Sequence, residues 1–148
     1  MREILFRGKG ANTLKWAYGV PVKTLTNSCA EKIELVRKIE YETDFMTHTY
    51  VDSTPVIQET LGEFTGLVDI NGQKIFEGDI LEKFRKHHIP GDKPYRVVIR
   101  FENSSFQFKS PFRTQWTPID DDEFGIDADG FSVVGNIYDN PNLLTSEN

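Results

Sequence analysis

Cysteine is almost missing from this chain: Cys29 is alone among 148 residues. A single thiol excludes an internal disulfide and fits a reducing compartment, so a cytoplasmic location is expected. No apolar run approaches the roughly 18 residues that a membrane span requires, and no signal peptide is expected, so no membrane partner is implied. Metal-ligand spacing is also lacking. His87 and His88 are adjacent and would point to opposite faces of a strand, and Cys29 and His48 offer no ligand pattern. The run Asp127-Ala128-Asp129-Gly130 fits a calcium loop only in part. With Gly130 at the loop glycine, Gly125 falls where the first Asp belongs and Asn136 where the bidentate Glu belongs. An Asp-rich turn is the better reading, and no metal or cofactor is expected. Gly8-Lys9-Gly10 lacks the helix and motif of a phosphate loop. No strand-turn-helix elbow supports a nucleophile built from Cys29 or a serine. The expectation is a protein without catalytic residues, not an enzyme.

Basic residues are missing from the last quarter. From Thr114 to Asn148 there is no Lys or Arg, but eight acids, including Asp120, Asp121, Asp122 and Glu123. From Lys83 to Arg113 there are eight Lys and Arg against only Asp92 and Glu102, a net of +6. The overall charge of −6 therefore conceals a division that bears on partners and association.

What the chain does have is aromatic residues, with 11 Phe, 5 Tyr and 2 Trp, a composition that favours strands. Its strongest local signal is Phe64 to Leu81. Asn71-Gly72 sits between two apolar-rich runs, the mark of a β-hairpin, because both residues tolerate positive φ. A two-residue turn would set Val68 against Ile75. A four-residue turn opening at Asp69, with Gly72 left-handed, fits nearly as well and shifts the register. Arg2 to Arg7 reads as a strand, and Lys15 to Val22 as its hairpin partner, with Pro21 at an edge or strand end. Ser28 and Glu31 have capping-box spacing, but alternation from about Leu35 to Val51 favours a strand pair. Ser53-Thr54-Pro55 reads as the start of a short helix ending before Gly62. Strands follow at Ile80–Phe84, Tyr95–Phe101, Phe106–Lys109 and Phe131–Tyr138, and Leu143 and Leu144 dock as a terminal turn. The fold class expected is mainly β (β-rich α+β): a small antiparallel sheet, SH3-like barrel in the C-terminal half, with one or two short helices. Two parts are expected, a β-rich subdomain over 1–62 and a barrel over 63–148 with an acidic loop at 114–130.

Three further segments stand out together: Met1-Arg2-Glu3-Ile4-Leu5-Phe6-Arg7, the run from Thr65 to Ile80, and Val134-Gly135-Asn136-Ile137-Tyr138-Asp139-Asn140-Pro141-Asn142-Leu143-Leu144. In this order they resemble the YopX family of bacteriophages and prophages. Ala11 to Asp52 and Ser110 to Asp129 match no family pattern. The resemblance implies a β-rich, phage-encoded cytoplasmic protein of a bacterial host cell that self-associates, and it carries over no catalytic residue.

Two surfaces are candidates for partners. Lys83, Arg85, Lys86, Arg96 and Arg100, joined by Lys109 and Arg113, lie on neighbouring strands with Phe84, Tyr95, Phe106 and Phe108. Cations beside rings suit a single-stranded nucleic-acid platform, whereas alternation makes the same rings core and the charges a solvated face. The acidic run Asp120, Asp121, Asp122 and Glu123 is the candidate protein-interaction site. It would meet the basic face of another copy, or mimic nucleic acid toward a host protein. The leading expectation is a homo-oligomeric interaction module with a host or phage protein partner; nucleic-acid binding is the alternative.

Overall fold

A computed structural model describes residues 3–85, 89–120, 126 and 130–145, with only the backbone described at 39–41. The chain divides into two compact units, Met1–Glu63 and Phe64–Asn148. Both are built almost wholly of antiparallel strands, so the chain is mainly β.

The first unit holds β1 (Phe6–Lys9), β2 (Trp16–Leu25), β3 (Glu31–Glu42) and β4 (Thr47–Val56), with the order β4-β3-β2-β1. Val20 to Leu25 of β2 pair with β3, while Trp16 to Gly19 pair with β1. Pro21 therefore lies where β2 has a neighbour on one side only, the position proline tolerates. Ile33, Leu35 and Val56 are buried together, with Phe6, Ala17 and Leu61 packed against them. Gly19 is fixed by a close approach: a Cβ there would stand 2.5 Å from the Val36 carbonyl oxygen. The helix expected from Ser53 is not formed. Thr54, Pro55 and Val56 continue β4 in register with Leu35, Glu34 and Ile33, and only Gln58–Thr60 make a 3-10 turn. Burial of Val56 against Ile33 and Leu35 outweighs the local cap-proline signal. Ser28 starts no helix either; it lies in a turn closed by the Thr26–Ala30 backbone bond, and Glu31 begins β3.

β5 (Gly62–Val68) runs from the first unit into the second, where Phe64 pairs with Phe76 and Val68 with Lys74 of β6 (Lys74–Phe76). The turn between them opens at Asp69, whose N–H and carbonyl bond Gln73 and Gly72, and Gly72 has φ 78°. This is the longer of the two turn readings.

The second unit also contains two three-stranded sheets. One has the order β12-β7-β8, from β7 (Asp79–Lys83), β8 (Tyr95–Val98) and β12 (Ser132–Asn136). The other has the order β11-β10-β9, from β9 (Arg100–Glu102), β10 (Ser105–Phe108) and β11 (Thr117–Pro118). A short α1 (Asn142–Thr145) follows. Ile75, Leu81, Val97, Ile99, Phe106, Phe108, Ile119 and Phe131 form the core. The expected SH3-like barrel is not formed: among the described residues the sheets stay open, with β12 and β11 as outer edges. The strand read over Tyr95–Phe101 breaks at Ile99. Its N–H bonds the Asp79 carbonyl and its carbonyl accepts from Gly78, so β8 and β9 join different sheets.

Candidate interaction surfaces

The second unit disperses the predicted basic residues over several partners. Arg96 on β8 stands opposite Glu82 on β7, with Nε 2.9 Å from Oε2, and its Nη1 donates to the Leu143 carbonyl at 2.7 Å. It thus ties α1 to the sheet. Arg100 lies 3.2 Å above the Trp116 ring, pairs with Glu102 at 2.6 Å and donates to Gln107 at 3.2 Å. Its Nε is buried without a hydrogen bond, against the indole face. Lys83 sits 5.0 Å over Phe131, and Arg85 stacks 3.8 Å above Phe112. Lys86, with His87 and His88, lies outside the described residues.

Two depressions gather cations of this stretch, among them Lys93, which the strand pattern alone does not single out. One of about 410 Å³ is lined by Arg96, Lys109, Ser110, Pro111, Arg113 and Thr114. A smaller one of about 190 Å³ is lined by Arg85, Asp92, Lys93 and Phe112. Phe112, half-exposed and edge-on to Tyr95 at 5.0 Å, is the stacking ring of this face. Phe106 and Phe108 are core, whereas Phe84 is exposed. Sequence reading missed Phe112 and Lys93 because they lie in loops, where no periodicity marks a face.

Of the acidic run, Asp120 is exposed. Asp121, Asp122 and Glu123 fall outside the described residues, as do Asp127 and Asp129. Among the described residues no group of three or more His, Cys, Asp or Glu is placed to hold a metal ion. Cys29 is an exposed turn residue with φ 61°.

The first unit presents a different surface. Beyond Val36, β3 leaves β2 and, among the described residues, pairs only with β4, so Arg37 to Asp52 form a two-stranded ribbon. Arg37 and Asp52 close its base, with Nε and Nη2 each 3.1 Å from Oδ2. Its tip is tied by the Thr43 N–H and hydroxyl, which both donate to the Met46 carbonyl. Phe45 at the tip is 92% exposed, Met46 61%, Val51 65% and Tyr50 51%. A two-stranded ribbon is marginal by itself in water, and this one leaves large apolar groups uncovered.

Two of the three segments that resemble a known family hold turns together. Asp69 Oδ1 accepts from the N–H groups of Asn71 and Gln73, and Oδ2 from Val133, at 2.8–2.9 Å. Burial raises its pKa, but these backbone donors outweigh that effect and hold the carboxyl below its ordinary value. Asp79 accepts from Phe76 N–H. Asn136 Oδ1 accepts from the N–H groups of Tyr138 and Asp139. A Cβ on Gly135 would lie 2.5 Å from Asn140 Oδ1, so that turn needs glycine.

The family described as YopX protein matches residues 5–145. The crystal structure of protein EF1440 from Enterococcus faecalis is similar across 97% of this chain and 99% of that one, at 21% identity and a TM-score of 0.60. That likeness is one of fold. No curated protein matches the chain. Among the described residues no helix is long and apolar enough to cross a membrane.

Proposed function

The chain belongs to the YopX family, and from that premise we propose that it is a non-enzymatic, self-associating interaction module. Its setting in this reading is the cytoplasm of a bacterium carrying the phage or prophage, where the assembled form engages a host or phage protein. The carrying observation is the ribbon Arg37–Asp52, two strands thick, with Phe45, Met46, Tyr50 and Val51 exposed. Covering such groups gains roughly 25 cal/mol per Å² of apolar area removed from water, which gives the free ribbon a standing drive to associate. Sedimentation of the full chain across micromolar concentrations tests this. The expected outcome is a concentration-dependent species larger than the monomer. Phe45→Ser combined with Met46→Ser should raise its dissociation constant by about tenfold or more, while at dilutions where the chain is monomeric the melting temperature stays unchanged, because both side chains are exposed in the free chain. A chain that stays monomeric throughout would overturn the reading.

A second reading, nucleic-acid binding, is favoured by the stack of Arg85 on Phe112 beside depressions that hold Lys93, Lys109 and Arg113. Fluorescence anisotropy with labelled single-stranded oligonucleotides separates the two. Binding through this face should weaken steeply between about 50 and 200 mM salt. It should also weaken in Lys93→Ser with Lys109→Ser, variants that break no described ion pair. Arg96 and Arg100 are poorer probes, since their replacement removes contacts that hold α1 and β10.

A further inference from the structure

The exposed ribbon leaves open which of its surfaces meets a partner. The backbone of β4 narrows the choice. Ala11 donates its N–H to the Pro55 carbonyl, and Ile57 donates to the Lys9 carbonyl. The backbone polar groups of Pro55 and Ile57 therefore point away from β3. Because these groups alternate along a strand, those of Thr47, Thr49, Val51 and Ser53 point the same way. Among the described residues no strand lies on that side, since β4 ends the sheet and only its last residues meet Gly10 and Ala11. Edge strands ordinarily block pairing with lysines, prolines or bulges. β4 has no lysine, its one acid is Asp52, its one proline stands next to the end, and its register with β3 is unbroken.

Resting on the self-association reading, we infer that β4 pairs antiparallel with β4 of a second copy, about a two-fold axis at Tyr50. This register is selected by backbone geometry and by one polar side-chain pairing. Outward-pointing Thr49 meets Val51 of the other copy and Thr47 meets Ser53, so each open N–H and carbonyl finds a partner. Tyr50 meets Tyr50 of the second copy in the closer, non-hydrogen-bonded position. His48 falls opposite Asp52, which already holds Arg37. Continued past Thr47, the register brings Met46 beside Thr54 of the other copy, short of Pro55, whose outward carbonyl Ala11 already engages. The contact is isologous and closes at two copies. Moving the axis to Val51 would set Tyr50 against Asp52 and lose both His–Asp couples.

The test uses the full chain with Cys29→Ser and Tyr50→Cys. A non-hydrogen-bonded antiparallel pair has its Cα atoms roughly 4.5 Å apart, at the short end of disulfide range. Mild oxidation should give a covalent dimer, whereas Val22→Cys, on the exposed face of β2, should give little. Val51→Pro removes an outward N–H without touching the bonds to β3. In sedimentation it should raise the dissociation constant about tenfold or more, with circular dichroism confirming the fold. A wild-type chain that remains monomeric overturns self-association and this pairing with it. An assembled wild type that neither cross-links through Tyr50→Cys nor responds to Val51→Pro overturns the pairing alone.

Discussion

Asp69 is the residue on which the central turn depends. The residue is 2% exposed, and its carboxylate accepts three backbone N–H groups, two from its own turn and one from β12. The folded chain thus holds it ionised to lower pH than the unfolded chain does. A depressed folded value means the stabilisation is fully present above the ordinary carboxylate range and is lost as pH falls through the lower, folded value. Asp69→Asn replaces an accepting oxygen by a donor and strands at least one N–H. It should lower stability by roughly 1–3 kcal/mol in urea denaturation at neutral pH and flatten the fall in stability on acidification. An unchanged denaturation midpoint would show that the turn does not rely on the carboxylate. The sequence shows such residues as turn formers, since Asp-x-Asn-Gly states its geometry locally. It does not show that Asp69 also reaches Val133, a contact between residues 64 positions apart. The same blindness to partners explains Arg96 and Arg100: strand alternation marks them as a charged face, whereas Glu82, Leu143, Glu102 and Trp116 engage them.

Elements were legible where their signal was local and continuous. The hairpin around Asn71-Gly72, the β3–β4 pair and the terminal strand all follow from alternation and turn chemistry. Two elements departed because tertiary contacts decided them. Ser53-Thr54-Pro55 has the local chemistry of a helix start, yet Pro55 is acceptable in β4. Its nitrogen points away from β3, so no ladder bond is lost, and Val56 gains a buried position. Tyr95 to Phe101 alternates without a flaw, but Gly78, with φ 88°, and Asp79 bond both polar groups of Ile99 and divert the chain into a second sheet. Phe101 is consequently exposed while Ile99 is buried, which alternation alone cannot foresee. The candidate surfaces follow the same division. The ribbon was readable as strands, but its width of two strands depends on where β2 stops, a property of register. The ribbon falls in Ala11–Asp52, a stretch where no family motif was legible although the family match runs over residues 5–145.

At the scale of the whole molecule, the charge division offers a competing route to assembly. The acidic run beginning at Asp120 could meet the basic depressions of another copy, and attraction between opposite charges is screened by salt. Pairing through β4 predicts the opposite sign. Each copy carries −6, so two copies repel at long range, while backbone hydrogen bonds and apolar contact at the edge respond little to ionic strength. The two His48–Asp52 couples are local and half-buried in the free chain, worth about 0–1 kcal/mol each. Raising salt from about 50 to 200 mM shortens the screening length from above 10 Å to below it, removing more repulsion than attraction. Sedimentation equilibrium at the two salt concentrations should therefore show association unchanged or strengthened at the higher one. A marked weakening would instead assign assembly to the charge division. The basic depressions would then be the seat of self-association, and their use for nucleic acid would compete with it.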